Sequence, residues 1–258
     1  MAGFFIPDPR FEMPSLLEPG RKPIGPVEID FNHPLSRGLL TALYYRDGNV
    51  TDLVTGRVMQ EINSPSSGVY HPHIGSATET NGSSSYYLLT GLALKTISYG
   101  LSGMSLAYSF FSNASQSDKR PASFSDGSDF YSIECESSQH QGFLRADGDL
   151  VTNSSGGSNT VGSNYCIYQT DLDGEFGTAG RMMLSVNSTR TQSGGSTGSR
   201  VFNYDRCSVG ALYRGSPAAY FNGLVPMVCL WERGLSLAEV REYERTKGGS
   251  LYSMLIPA

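Results

Sequence analysis

Paired carboxylates are the first feature of this 258-residue sequence that could do chemistry. Glu134 and Glu136 flank Cys135 in a β-prone run, so the alternation of a strand would place both carboxylates on one face. Retaining hydrolysis of a glycoside needs two carboxyl groups about 5–5.5 Å apart. Acidic residues that share a strand face are more often simply solvated, and we interpret Glu134 and Glu136 as a solvent-facing pair.

One acidic turn and one pair of histidines could bind a metal ion. The turn at Asp171, Asp173 and Glu175 begins like a calcium loop, but the further oxygen ligands and the distal glutamate of such a loop do not follow. A hairpin turn is the favoured interpretation, and calcium binding at Asp171 and Asp173 stays open. His71 and His73 have no recognisable third ligand. The sequence therefore predicts no metal site, no cofactor and no catalytic residues.

The four cysteines are widely spaced, at Cys135, Cys166, Cys207 and Cys229. They could form two disulfides, or they could be free thiols in strands, where cysteine behaves as a small apolar residue. Dense disulfides are typical of small secreted scaffolds, and this chain is neither small nor rich in cysteine. We favour four free thiols.

Charge and hydropathy narrow the classes of partner. The chain has 19 basic and 24 acidic residues, a net charge of −5 and no dense run of Lys or Arg, so we expect no direct contact with nucleic acid. No apolar run approaches the ~18–20 residues that span a bilayer. The N-terminus is unlike a secretion signal, because it has no basic start and because Pro and Asp interrupt its apolar residues. We therefore expect no membrane segment and no export signal.

The first 36 residues predict an extended arm. Seven of the 13 prolines lie in the first 34 residues, which excludes a regular helix or a central strand there. The same segment is rich in large apolar residues, which a free linker would not need. We expect residues 1–36 to become ordered by docking and residues 37–258 to form the folded domain. The expected partner-binding residues of the arm are Phe4, Phe5, Ile6, Phe11, Leu16, Leu17, Arg21 and Lys22.

From about Gly38 the sequence consists of short β-prone runs separated by turns rich in Gly, Ser and Asn. Large apolar residues alternate with smaller ones along residues 104–110, which marks a strand with one buried face. Many such strands indicate an all-β sandwich or barrel. Segments 153–163 and 192–198 are predicted loops. Five Asn-x-Ser/Thr triplets are interpreted as turns, and they begin at Asn49, Asn81, Asn113, Asn153 and Asn187. The predicted strands are 39–46, 86–95, 104–112, 121–125, 129–135, 142–146, 164–170, 181–186, 206–213 and 220–230.

One short helix is predicted near the end of the chain, at residues 236–246. Ser236 and Glu239 have the spacing of a capping box. Gly248 and Gly249 follow the last helical turn, where glycine commonly ends a helix. We expect this helix to lie outside the two sheets.

The C-terminal part of the chain resembles the last strand and helix of concanavalin A-like, laminin-G-type jelly rolls. Weaker matches extend the resemblance over about residues 33–245. It implies a two-sheet antiparallel jelly-roll sandwich with an extended N-terminal arm and one short C-terminal helix. The residues that match are Phe221, Gly223, Val228, Leu230, Trp231, Arg233, Leu235, Ser236 and Glu239.

Glucanases with this fold carry a strand motif of Glu, an apolar residue and Asp, followed by a second Glu. Glu28, Ile29 and Asp30 begin like this motif, but Asn32 and His33 stand where the second Glu belongs. The resemblance thus implies the fold, but the catalytic carboxylates of the glucanases are incomplete in this sequence. We therefore predict that the protein is not an enzyme.

A looser resemblance links residues 17–35 to laminin-G-like proteins encoded among the structural genes of tailed bacteriophages. It implies a virion protein, assembled in the bacterial host cytoplasm, such as a capsid decoration (cement) protein or a head or tail surface component. Such a protein would bind the major capsid protein or tail proteins and form a homo-oligomer. The alternative is a lectin-like module, for example in a tail fibre, that recognises host-surface glycans through Tyr70, Tyr99 and Tyr204.

Overall fold

The computed structural model describes residues 22–23, 26–46, 48–71, 75–92, 97–99, 103–127, 129–135, 139–146, 149–156, 161–171, 175–176, 181–193, 200–202 and 204–258. The helix α1 is Leu237–Arg245, and short 3-10 helices lie at Pro34–Ser36 and Gly249–Met254. The described strands, in chain order, are β1 (Val27–Ile29), β2 (Leu39–Arg46), β3 (Asn49–Asp52), β4 (Arg57–Val58), β5 (Gln60–Ile62), β6 (Ser66–His71), β7 (Gly75–Asn81), β8 (Tyr86–Thr90), β9 (Ile97–Tyr99), β10 (Ser105–Ser112), β11 (Ala122–Ser125), β12 (Phe130–Cys135), β13 (His140–Ala146), β14 (Asp149–Gly156), β15 (Gly162–Asp171), β16 (Arg181–Val186), β17 (Thr189–Ser193), β18 (Arg200–Phe202), β19 (Arg206–Val209), β20 (Leu212–Tyr213), β21 (Pro217–Ala218), β22 (Asn222–Trp231) and β23 (Leu255–Pro257).

Two large antiparallel sheets form the domain, as predicted. The ten-stranded sheet has the order β17-β16-β15-β10-β22-β2-β3-β4, and its remaining two strands extend it because β7 pairs with the first part of β22 and β6 pairs with β7. The seven-stranded sheet has the order β14-β13-β12-β11-β19-β8-β5. The fold is therefore an all-β antiparallel sandwich.

The main core fills the space between the sheets. Leu106, Tyr108 and Phe110 of β10 point into it, together with Tyr131 and Ile133 of β12. The alternation predicted along residues 104–110 is thus confirmed, but the strand has two buried faces and not one. The burial of these large side chains from water supplies the principal driving force for closing the sandwich.

The ten-stranded sheet is also covered on its other face. There Ile167 and Met183 belong to a second apolar cluster with Val240 and Tyr243 of α1. The helix has the predicted capping box, in which Ser236 accepts from the backbone of Glu239 and Glu239 accepts from the backbone of Ser236. The predicted helix outside the sheets is confirmed.

Residues 26–36 belong to this covering layer and not to an arm. β1 pairs antiparallel with β23, and the side chains of Val27 and Ile29 are buried. Trp231 donates its Nε1 proton to the backbone oxygen of Leu35 at 2.7 Å. The predicted domain start at residue 37 is therefore corrected, because the prolines flank a short strand at the edge of a small sheet, where proline is tolerated.

Candidate functional site

A polar cleft lies where the chain crosses twice between the two sheets. The first crossover leads from β5 to β6, and the second leads from β7 to β8. Asn63 of the first crossover donates its Nδ2 proton to the backbone oxygen of Ser84 in the second, at 3.1 Å. The cleft at these crossovers has a volume of about 350 Å³. It is lined by Ser64, Ser66, Glu79, Thr80, Asn81, Ser85 and Asn222.

The second crossover is held in shape by Asn81. Its Oδ1 accepts hydrogen bonds from the backbone N–H groups of residues 83–85 at 2.9–3.0 Å. Gly82 has φ +72°, a left-handed conformation that glycine adopts without steric cost. A Cβ atom at Gly82 would lie 2.8 Å from the Cβ of Asn222. The turn is therefore packed tightly against the start of β22.

Two side chains from the segment after β10, Asn113 and Gln116, form hydrogen bonds with the start of β22. Gln116 accepts from the backbone N–H of Asn222 at 2.6 Å and donates to its backbone oxygen at 2.8 Å. Asn113 donates its Nδ2 protons to Glu79 Oε1 at 2.7 Å and to Asn222 Oδ1 at 3.3 Å. The side chains of Glu79 and Asn222 are thus oriented by a common donor.

Four side chains of the cleft keep free hydrogen-bonding capacity. Among the described residues, nothing binds Glu79 Oε2, the Nδ2 of Asn222 or the hydroxyls of Ser64 and Ser66. A carboxylate accepts, an amide nitrogen donates and a hydroxyl does both. This combination matches a ligand that offers several neighbouring hydroxyl groups.

Three tyrosines form a cluster on the strand that follows the lining residue Ser85 and on the chain around β20 and β21. Tyr86 follows the lining residue Ser85, and its ring centroid lies 6.2 Å from that of Tyr213 and 6.0 Å from that of Tyr220. Tyr87 belongs to the main core, so Tyr86 points to the outer face of the seven-stranded sheet. Tyr213 and Tyr220 are half-buried.

The predicted glycan-contacting tyrosines have three different outcomes. Tyr70 is 70% exposed on β6, the strand that begins with the cleft residue Ser66. Tyr204 is only 1% exposed and belongs to the main core, so its prediction as a contact residue was wrong: its ring fills the core instead of standing on a loop. The side chain of Tyr99 lies outside the described residues.

Lys22 is bound by its own domain. It is 7% exposed, and its Nζ donates to the backbone oxygens of Tyr45 and Ser76. The ammonium group also lies 4.4 Å from the ring centroid of Tyr44, a favourable cation–π distance. The prediction that Lys22 binds a partner is therefore corrected, because carbonyl groups and aromatic rings of the domain already surround its charge. The other predicted arm residues, Phe4, Phe5, Ile6, Phe11, Leu16, Leu17 and Arg21, lie outside the described residues.

Glu134 is not solvent-facing, which corrects the interpretation of the Glu134–Glu136 pair. It is 3% exposed and forms an ion pair with Arg120, whose guanidinium lies over the rings of Phe130 and Phe143. Burial lowers the pKa of Arg120, and the charge of Glu134 opposes that shift. Arg120 lies across this strand face and excludes water from it. Glu136 lies outside the described residues.

The remaining candidates for chemistry stay separate from one another. Cys135, Cys166, Cys207 and Cys229 are buried and form no disulfide bond with one another. Within the described part of the chain, no three His, Cys, Asp or Glu residues come together as a metal site, and residues 72–74 and 172–174 lie outside that part. Glu28 is exposed on β1, while Asp30 accepts from the backbone N–H of Asn32 in a local turn. The described helix is too short and too polar to cross a membrane.

The cleft residues themselves were not predicted as a site. Asn81 and Asn113 were recognised only as turn residues, which is correct for Asn81. Serine and asparagine are ordinary in turns, so composition gave no reason to select these particular residues. What makes them a site is that β7, β22 and the two crossovers meet, and this depends on pairing between residues far apart in sequence.

Comparison with known proteins supports the fold. No protein-family model and no curated protein matches the sequence. Among solved structures, the botulinum neurotoxin serotype C1 binding domain matches with a TM-score of 0.57 and 12% identity, over 82% of this chain and 52% of that chain. The receptor binding domain of the C/D mosaic serotype matches with a TM-score of 0.58 and 8% identity, over 81% and 51%. The binding domain of botulinum neurotoxin DC in complex with rat synaptotagmin II matches with a TM-score of 0.57 and 9% identity, over 84% and 51%.

These matches define the class of fold and no more. At such low identity they show that the chain has the β-sandwich found in those binding domains. The chain spans about half the length of those structures. What the complete domains bind is therefore not transferred to this chain by the comparison itself.

Proposed function

We propose that this protein is a non-enzymatic carbohydrate-binding module and that the crossover cleft is its binding site. The observation that carries the proposal is the set of unoccupied polar groups in the cleft, Glu79 Oε2, Asn222 Nδ2 and the hydroxyls of Ser64 and Ser66. Sugar hydroxyls both donate and accept, so one sugar ring can use acceptor and donors of this kind together.

The surroundings of the cleft support this proposal. Asn113 orients the side chains of Glu79 and Asn222, and Gln116 binds the backbone of Asn222, so these two residues require little additional ordering on binding. Tyr70, which is 70% exposed on the strand that begins with the lining residue Ser66, provides apolar surface of the kind that ligand sites combine with a few polar groups. Binding domains with the same sandwich occur in complexes, one with rat synaptotagmin II and one with SialylT.

The test is a glycan-binding screen followed by substitution of Asn222→Asp. This change keeps the shape and the backbone contacts of residue 222 but removes the Nδ2 donor. We expect about tenfold weaker binding, the equivalent of one lost hydrogen bond, measured by calorimetry with the best glycan of the screen. Asn32→Asp is the matched control, because Asn32 is exposed in the turn after β1. Equal affinity of N222D and wild type would place the binding site elsewhere.

A second candidate function is docking on a virion through the N-terminal segment. What supports it is the apolar, Pro-rich sequence of residues 1–21. The structural comparisons provide no support for a virion or capsid location, so this function rests on the sequence. It is compatible with glycan binding, because the two activities use different parts of the chain.

A further inference from the structure

We infer that the crossover cleft selects uncharged glycans and rejects acidic ones, through the carboxylate of Glu79. This inference rests on the proposed function and specifies the class of sugar. Among the described residues that line the cleft, Glu79 is the only one with an ionisable side chain, and none is Lys, Arg or His. The charge of the site is therefore negative.

The geometry makes Glu79 an acceptor for a ligand hydroxyl. Asn113 donates to its Oε1 at 2.7 Å and leaves Oε2 as the oxygen that is free among the described contacts. The strand pair also fixes the residue, because Glu79 of β7 pairs with Leu224 of β22 and with Ser66 of β6. A neutral sugar can donate one hydroxyl to Oε2 and accept at another from Asn222, and a hydrogen bond to an ionised group is stronger than a neutral one.

An acidic sugar meets the opposite situation in the same cleft. Its carboxylate or sulfate can only accept hydrogen bonds, and it would approach Glu79 without a basic residue to compensate the repulsion. Like charges within a few ångströms repel strongly in a partly desolvated site. An acidic group that faces away from the cleft would escape this penalty, so the discrimination concerns the sugar unit that occupies the cleft.

The experiment compares matched pairs of glycans, each a neutral oligosaccharide and its counterpart with sialic acid, sulfate or uronic acid on the bound unit. We expect the wild-type protein to bind the neutral member at least about tenfold more tightly. The difference should decrease between 50 and 500 mM NaCl, because salt screens the repulsion at an open cleft. The readout is affinity measured by calorimetry for each pair.

Glu79→Gln isolates the cause, since glutamine can still bind Asn113. We expect E79Q to bind the neutral glycan about fivefold more weakly, as a charged acceptor becomes a neutral one, and to lose most of its discrimination against the acidic counterpart. Glu28→Gln removes the same charge from an exposed residue of β1 and should change neither quantity.

The possible failures are distinct. If no glycan of either kind binds, the proposed function is wrong. If glycans bind but the acidic member binds as tightly as the neutral one, the proposed function stands and the selectivity is refuted. If E79Q keeps the full discrimination of the wild type, Glu79 is not its cause and the inference is equally overturned.

Discussion

His140 shows how strongly one residue can depend on its surroundings. It begins β13 and is fully buried, and its ring packs edge-on against Phe110 with 5.6 Å between centroids. Burial lowers the pKa of His140 from 6.5 to about 4, and the contributions of Asn164 and the backbone of Glu134 oppose this shift without cancelling it. His140 therefore acts as an uncharged aromatic residue of the core.

This gives a prediction for acid stability. Above pH 6.5 the imidazole is neutral in the folded and unfolded states, so it has no effect on their balance. As the pH falls from 6.5 to about 4, the unfolded chain takes up a proton that the folded protein does not. The free energy of unfolding should thus decrease by about 3 kcal/mol over this range from His140 alone.

The measurement is urea unfolding at several pH values, for the wild type and for His140→Leu. The variant should be less sensitive to acid between pH 6.5 and 4, whatever its stability at neutral pH. Because all other titrating groups are common to both proteins, the difference in slope isolates this histidine. Parallel pH profiles would show that folding does not lower the pKa of His140.

At the scale of secondary structure, the proposed binding cleft depends on two crossovers and one strand end. Gly82 is required there for two reasons, its φ of +72° and the close approach of Asn222. Gly82→Ala should destabilise the protein by about 1–2 kcal/mol through the left-handed backbone, with an added cost from the displaced Asn222. It should also weaken glycan binding.

Gly56 separates these two effects. It has φ +73°, but nothing lies within 4 Å of the position of its Cβ. Gly56→Ala should therefore show the backbone cost in thermal unfolding and leave glycan binding unchanged. If G82A binds glycans as well as G56A does, the packing between the crossover and Asn222 does not control the site.

The elements that sequence predicts well are those with one clear pattern. The strands β2 and β16 have the predicted bounds, because apolar residues run through them continuously and turn residues limit them. By contrast, half of β14 and the last two residues of β17 fall in segments predicted as loops, because both strands are rich in Ser, Thr and Asn. They are the outermost strands of their sheets, where fewer side chains must be apolar.

The cleft could not be predicted for a related reason. Most of its residues are of types common in turns, and they come together only through strand pairing between distant parts of the sequence.

At the scale of the molecule, the N-terminal segment and the domain should be separable. Lys22 binds the backbone of Tyr45 and Ser76, and β1 pairs with β23, so these attachments remain when residues 1–20 are deleted. The truncated protein should keep the melting temperature and the glycan affinity of the full chain. Under the second candidate function it should no longer co-purify with virions.

Phe4→Ala with Phe5→Ala and Phe11→Ala should reduce that association nearly as much, because large apolar side chains supply most of the gain on docking. Virion occupancy, measured by quantitative mass spectrometry, distinguishes the outcomes. Full occupancy by the truncated protein would contradict docking through this segment.

The position of β22 has a consequence for how the protein is made. This strand lies between β10 and β2 in the ten-stranded sheet and also pairs with β7, yet it is among the last strands along the chain. During synthesis on the ribosome, β2, β7 and β10 must each wait for a neighbour that has not been translated. Unpaired strand edges of this kind associate readily with other chains. A nascent chain of this protein is therefore most exposed to aggregation until residue 231 has left the ribosomal tunnel, and chaperone demand should fall sharply once it has.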